Sequence, residues 1–186
     1  MATYQYKVYL IPRKSIAEKY SKIPSQLFID LEAWEKHWAK ESVEDVYDFE
    51  DALTIEWWKE RGVLFEPIEP LILKFAKQVK WTMNSLTSKS YGNNETNDIS
   101  IDLTEDFFIK QFSFRIDLRK LDRKFIDNIF SIAQQLDCLL LDRKGNLFEP
   151  IVEVFLKYAH QSSAFLFVEN PSDYLYQLSN GTLKPE

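Results

Sequence analysis

Residues 62–78 are repeated at 145–161, and this copying constrains the fold more than any other feature of the chain. Gly62, Leu64, Phe65, Glu66, Pro67, Ile68, Leu73, Lys74, Ala76 and Gln78 recur as Gly145, Leu147, Phe148, Glu149, Pro150, Ile151, Leu156, Lys157, Ala159 and Gln161. Ten of these seventeen positions agree, where typical residue frequencies give about one. The preceding position is basic in both copies (Arg61, Lys144), and Phe75 answers Tyr158.

The same offset continues upstream as identities fade. Val43, Val46, Tyr47, Phe49 and Leu53 align with Ile126, Ile129, Phe130, Ile132 and Leu136, a spacing that puts apolar side chains on one helix face. Residues 53–58 and 136–141 are short apolar runs, as buried strands are. On such a strand Trp57 and Trp58 point to opposite faces, which sends one of them out of the local core. Each run meets a charged turn closing on Gly62 or Gly145, where glycine supplies the left-handed backbone that turns use. Pro67 and Pro150 then open helices, a position at which the missing amide is no loss.

A strand precedes each unit, at 4–11 and more cleanly at 112–118, where Phe112, Phe114, Ile116 and Leu118 oppose Ser113, Arg115 and Asp117. The second copy reads strand, helix 121–136, strand, turn, helix 150–161, then a strand at 164–168 and a short helix from Pro171. The first copy carries an insertion at about 13–41 with a helix over 30–39. Ser, Asn, Gly and Thr make 88–98 a loop, and Ile99, Ile101 and Leu103 begin a strand that pairs with 107–118 as an antiparallel ribbon. The expected architecture is α+β. Two diverged strand-helix-strand-turn-helix units, 1–87 and 99–186, form one compact domain as pseudo-twofold halves, their mixed β-sheet covered by helices.

Composition supports a packed core. The 186 residues are 45% apolar and 15% aromatic with four glycines, which is too hydrophobic for disorder. The lone Cys138 sits in an apolar run and reads as a small buried hydrophobe, with no disulfide to form. Residues 1–12 lack the basic start and apolar stretch of an export signal, and no segment approaches the ~20 apolar residues of a membrane span. The cytoplasm is therefore the expected location, without membrane association. The net charge of −6 has the wrong sign for free nucleic acid and favours a basic protein partner.

Most catalytic chemistries find no support. His37 lies among tryptophans, and His160 takes the place of Lys77 in the other copy, which marks a solvent-facing position. One cysteine and two distant histidines give no zinc spacing. The acidic stretch Glu44, Asp45, Asp48, Glu50 and Asp51 lacks the ligand pattern of a calcium loop and reads as a solvated helix face. No glycine-rich phosphate cradle or glycine-flanked serine is present, so neither a metal nor a cofactor is expected.

Two features stand above this background. All five tryptophans, Trp34, Trp38, Trp57, Trp58 and Trp81, fall in one half of the chain, and tryptophan is enriched at binding hot spots. Arg115, Asp117 and Arg119 form a polar row on one strand face, as an ion-pair ladder or as the floor of an anion site. The expected function is a non-enzymatic interaction module. Its acidic stretch, with Trp57 and Trp58, meets a basic protein, as acidic proteins that neutralise toxic enzymes do. The alternative is a ligand-binding protein or enzyme with its site between the two halves, using Arg115, Asp117 and Arg119.

Overall fold

The alternating segment around Phe114 lies near the centre of a six-stranded sheet. The computed structural model describes residues 4–39, 47–80 and 85–183. Its strands are β1 (Gln5–Pro12), β2 (Ser88–Gly92), β3 (Asp98–Leu103), β4 (Ile109–Asp117), β5 (Cys138–Asp142) and β6 (Leu147–Phe148). They lie in the order β2-β3-β4-β1-β5-β6, and every neighbouring pair is antiparallel. The expected mixed sheet is thereby corrected. β4 and β5 run in the same direction across a helical crossover, but β1 occupies the gap between them and opposes both. The β3–β4 ribbon forms as expected, with Ile99 facing Phe114 and Ile101 facing Phe112.

Seven helices accompany the sheet among the described residues: α1 (Arg13–Tyr20), α2 (Leu31–Trp38), α3 (Glu69–Leu73), α4 (Arg123–Gln135), α5 (Val152–Ala159), α6 (Ser163–Glu169) and α7 (Pro171–Ser179). The side chain of Asp122 caps α4 by accepting from the Phe125 amide at 3.0 Å, and Asp30 does the same for α2 through the Ala33 amide at 2.9 Å. Such caps satisfy amides that have no partner inside the helix. From α4, Phe125, Ile126, Ile129, Phe130 and Ile132 are buried. Phe130 packs between Phe114 and Phe155, and Tyr6 completes the group against Phe155. This aromatic layer covers the sheet face carrying Val8, Phe112 and Ile116, all fully buried. The opposite face carries Lys7, Ser90, Ser100, Ser113 and Arg115, as the pairing register and strand alternation require.

The repeated unit is present in full once. Downstream, the two copies correspond in part: Gly62 and Gly145 both have positive φ, Phe65 and Phe148 are both buried, and so are Ile72 and Phe155, but Leu64 is exposed where Leu147 is buried and Ile68 is buried where Ile151 is exposed. The helices α3 and α5 begin at equivalent positions, Glu69 and Val152. Upstream they part. Val43 and Val46 lie outside the described residues, and the described part of the expected first-copy helix, from Tyr47 onward, is loop and turn. Residues 53–58 are successive turns instead of a strand, with Trp57 bonded to the Ile55 carbonyl and Lys59 to that of Glu56. Neither tryptophan leaves the core. Both are buried, and their indole N–H groups donate to the carbonyls of Ala52 and Leu10 at 2.8 and 2.9 Å.

Two further expectations are corrected. Residues 164–168 belong to α6, whose first turn is capped by the Ser162 hydroxyl accepting from Phe165. Within the expected loop 88–98, residues 88–92 form β2, anchored by the fully buried Tyr91, whose hydroxyl donates to Glu69 at 2.6 Å.

Both lateral edges of the sheet are occupied. Outside β2, the Val79 amide donates to the Ser90 carbonyl and the Gly92 amide to that of Lys77, each at 2.8 Å. Outside β6, Leu147 donates to Ser25 at 3.0 Å and Leu27 to Gly145 at 2.8 Å.

Candidate binding surface

Asp51 holds the loop after residue 47 against the start of α2. Its carboxylate accepts from the Asp30 amide at 3.0 Å, the Trp34 indole at 2.7 Å, and the Leu53 and Thr54 amides at 2.8 and 3.2 Å. At 2% exposure it acts as a staple rather than as part of a solvated acidic face. Four donors converging on one buried carboxylate explain why this short loop keeps its place beside the helix.

On α2, Leu31, Trp34 and Trp38 recur at a spacing that shares one side of the helix. The rings of Trp34 and Trp38 stack at 5.8 Å with an interplanar angle of 20°. Tyr47 and Phe49 meet Trp34 edge-on at 5.1 and 5.2 Å, and His37 lies 5.1 Å from both Trp38 and Tyr47. His37 is buried, whereas Trp38 is 57% exposed. Phe28 and Leu31 are exposed as well. Glu32, Glu35, Asp48 and Glu50, on the same helix and loop, are exposed. Below them a pocket of about 290 Å³ is lined by Asp30, Glu32, Lys36, His37, Asp48 and Phe49.

The residues expected to meet a partner therefore separate. Glu44 and Asp45 lie outside the described residues. Asp48 and Glu50 are exposed, Glu50 pairing with Lys19 at 3.0 Å. Asp51, Trp57 and Trp58 are buried and bonded within the fold. Trp81 is likewise outside the described residues. Sequence reasoning noticed His37 among tryptophans but missed its convergence with Tyr47 and Phe49, which depends on a loop folding back. The one sequence signal for it was the spacing of Trp34, His37 and Trp38.

The alternative site residues are engaged in ion pairs within the fold. Arg115 grips the buried Asp98 through Nε and Nη2, with Nε 2.9 Å from Oδ2. Arg119 grips Asp117 with Nη2 2.8 Å from Oδ2 and lies 3.4 Å over the Tyr4 ring. Burial raises the Asp98 carboxyl above the usual carboxylate range by more than Arg115 lowers it. The hydrogen bond from Arg119 holds Asp117 below that range. This is an ion-pair ladder on the polar sheet face.

A larger cleft of about 700 Å³ opens elsewhere on the sheet. Tyr9, Ser88, Asp102 and Gln111 contribute from the strands, Thr54 and Glu56 from the turns. Lys110 and Glu56 pair within it at 3.3 Å. The cleft lies between residues of 1–87 and 99–186, but Arg115, Asp117 and Arg119 are not among those lining it.

Among the described residues, no group of three or more His, Cys, Asp or Glu side chains could hold a metal ion, and no helix is long and apolar enough to cross a membrane. His160 is exposed beside Phe165. The Cys138 thiol is buried, and that burial, aided by Asp137, pushes it up to about 12. No protein-family model matches the chain, and no curated protein or solved structure is similar enough to it to count as a match.

Proposed function

We propose that this chain is a non-enzymatic, cytoplasmic protein-interaction module that docks a basic partner through α2 and the loop beginning at Tyr47. The observation that carries this reading is Trp38, exposed yet held flat against Trp34, on a helix and loop that also expose Glu32, Glu35 and Asp48. A stacked ring has little side-chain freedom left to lose on binding, and tryptophan is among the residues most enriched at interface hot spots. These carboxylates would steer a basic protein toward α2 and repel acidic ones. With a net charge of −6, the chain suits the role of a neutralising, immunity-type partner for a basic protein. The test compares captures by the parent chain, by Asp45→Lys with Asp48→Lys, and by Trp38→Ala. A basic protein held by the parent and lost by both variants supports the reading; identical captures refute it.

The cleft of about 700 Å³ favours a second reading, since its volume falls within the ~300–1,000 Å³ typical of small-ligand sites. A small molecule that stays with the natively purified chain, and is lost on Gln111→Trp, would support that function instead. For the repeat we infer one ancestral segment copied once. The matched sequence, the two positive-φ glycines and the shared burial of Phe65 with Phe148 and of Ile72 with Phe155 support that origin.

A further inference from the structure

We propose that the large cleft on the polar sheet face binds a neutral disaccharide through the Tyr9 hydroxyl and the Gln111 amide. This rests on the ligand-site reading of that cleft and specifies the class of ligand it takes. The register of β1 against β4 runs as far as Tyr9 and Ser113, and the cleft opens beside that point. On the polar face Ser88, Asp102 and Gln111 are consecutive cross-strand neighbours, with adjacent Cβ atoms about 4.5–5.5 Å apart. All three line the cleft together with Tyr9, and its volume of about 700 Å³ is larger than a single sugar ring requires.

Tyr9 supplies an observation independent of the cleft's shape. It is 9% exposed, and Lys7 lies over its ring at 4.8 Å. Among the described residues its hydroxyl has no hydrogen-bond partner, yet the oxygen is not one of the atoms sealed from solvent. A nearly covered tyrosine thus offers a ligand its oxygen alone. The side chains of Ser88 and Gln111 have no partner among the described residues either. Hydroxyl and amide groups present donors and acceptors together, and a sugar hydroxyl, which donates and accepts at once, answers both. The charged side chains of the cleft are already engaged: Lys110 pairs with Glu56 at 3.3 Å, and Asp102 has an interaction within the fold. No free charge there calls for an ionic ligand.

The probes are maltose, cellobiose, lactose and chitobiose, titrated into the full chain and followed by saturation-transfer NMR. Saturable binding of at least one is expected. Tyr9→Phe keeps the covered ring and should weaken that sugar about two- to tenfold, the scale of one hydrogen bond, while leaving the urea midpoint unchanged. Gln111→Ala should weaken it by a similar factor. The uronic acid of the same sugar carries a charge and should bind less well. Its methyl glycoside, blocked as at the end of a glycan, separates two sources: equal binding points to a glycan and weaker binding to a free sugar, and either supports the site. Silence from every sugar, binding unchanged by both substitutions, a uronic acid that binds more tightly, or a Tyr9→Phe midpoint that falls with the affinity overturns the proposal. Where the sugars are silent but a natively retained molecule is still lost on Gln111→Trp, this inference alone fails. Where no molecule is retained either, the ligand-site reading fails with it.

Discussion

The two glycines of the repeat occupy one backbone conformation but different surroundings, and alanine at each separates those effects. Gly62 has φ +61° and open space where a side chain would point, and Gly145 has φ +83°. A methyl group at Gly145 would collide with the Leu27 carbonyl and lie 3.2 Å from Cγ1 of Ile29. Gly62→Ala should therefore cost only the left-handed strain of a side chain, about 1–2 kcal/mol. Gly145→Ala carries the same strain and also pushes residues 25–27 away from β6. That weakens the bonds between Leu27 and Gly145 and between Leu147 and Ser25, each worth about 0.5–1.5 kcal/mol. Its total should reach about 3–5 kcal/mol once overpacking is included. Urea unfolding followed by tryptophan fluorescence measures both losses. Equal losses, within about 0.5 kcal/mol, would refute the difference in packing and leave the backbone conformation as the whole effect.

Asp51→Ala leaves the Trp34 indole and the Asp30 and Leu53 amides without their acceptor, and should cost about 3–4 kcal/mol in the same assay; a loss under about 1 kcal/mol would show that water replaces the carboxylate. Arg115→Met strands the buried Asp98 charge and should cost about 3–5 kcal/mol, most of it recovered on adding Asp98→Asn. Because Asp98 is raised in the fold, the Arg115→Met variant should regain stability as pH falls and that carboxyl takes up a proton; a double variant no better than the single refutes this. Asp117 is lowered instead, so its contribution is present above the ordinary carboxylate range and lost as pH falls through its depressed folded value. Arg119→Gln should flatten the acid limb of the urea midpoint, and an unchanged limb would remove Asp117 from the account. Cys138, buried and raised to about 12, should resist iodoacetamide in native buffer and react only as the chain unfolds; rapid native labelling would contradict its placement.

Period and composition made some elements legible and misread others for physical reasons. β4 and α4 could be read because each pairs strong periodicity with a clear boundary, Asp122 serving as the cap. Residues 164–168 are aromatic and branched enough to suggest a strand, but Ser162 starts a helix there and Ala164 packs inward. Residues 53–58 are apolar because two indoles must be buried, which turns achieve here through carbonyls of Ala52 and Leu10. A short apolar run cannot announce which of these solutions the chain will take. β2 was hidden because its serines face the polar side of the sheet, leaving Tyr91 as its fully buried anchor. At the candidate surface, the tryptophans were visible as a cluster. Among the described tryptophans, the division into buried or half-buried props and the exposed Trp38 depended on where Asp51 fastened the loop, and a single acidic residue in an acidic run carries no mark of that task.

The segments seated along the outermost strands have a consequence for association. A second polypeptide cannot readily lengthen this sheet by strand addition, because the carbonyl of Ser90 and the amides of Gly92 and Leu147 are already spoken for within the chain. Recognition must then be written in side chains, and a crowded solution of the folded molecule offers neighbouring copies little template for growth into fibres.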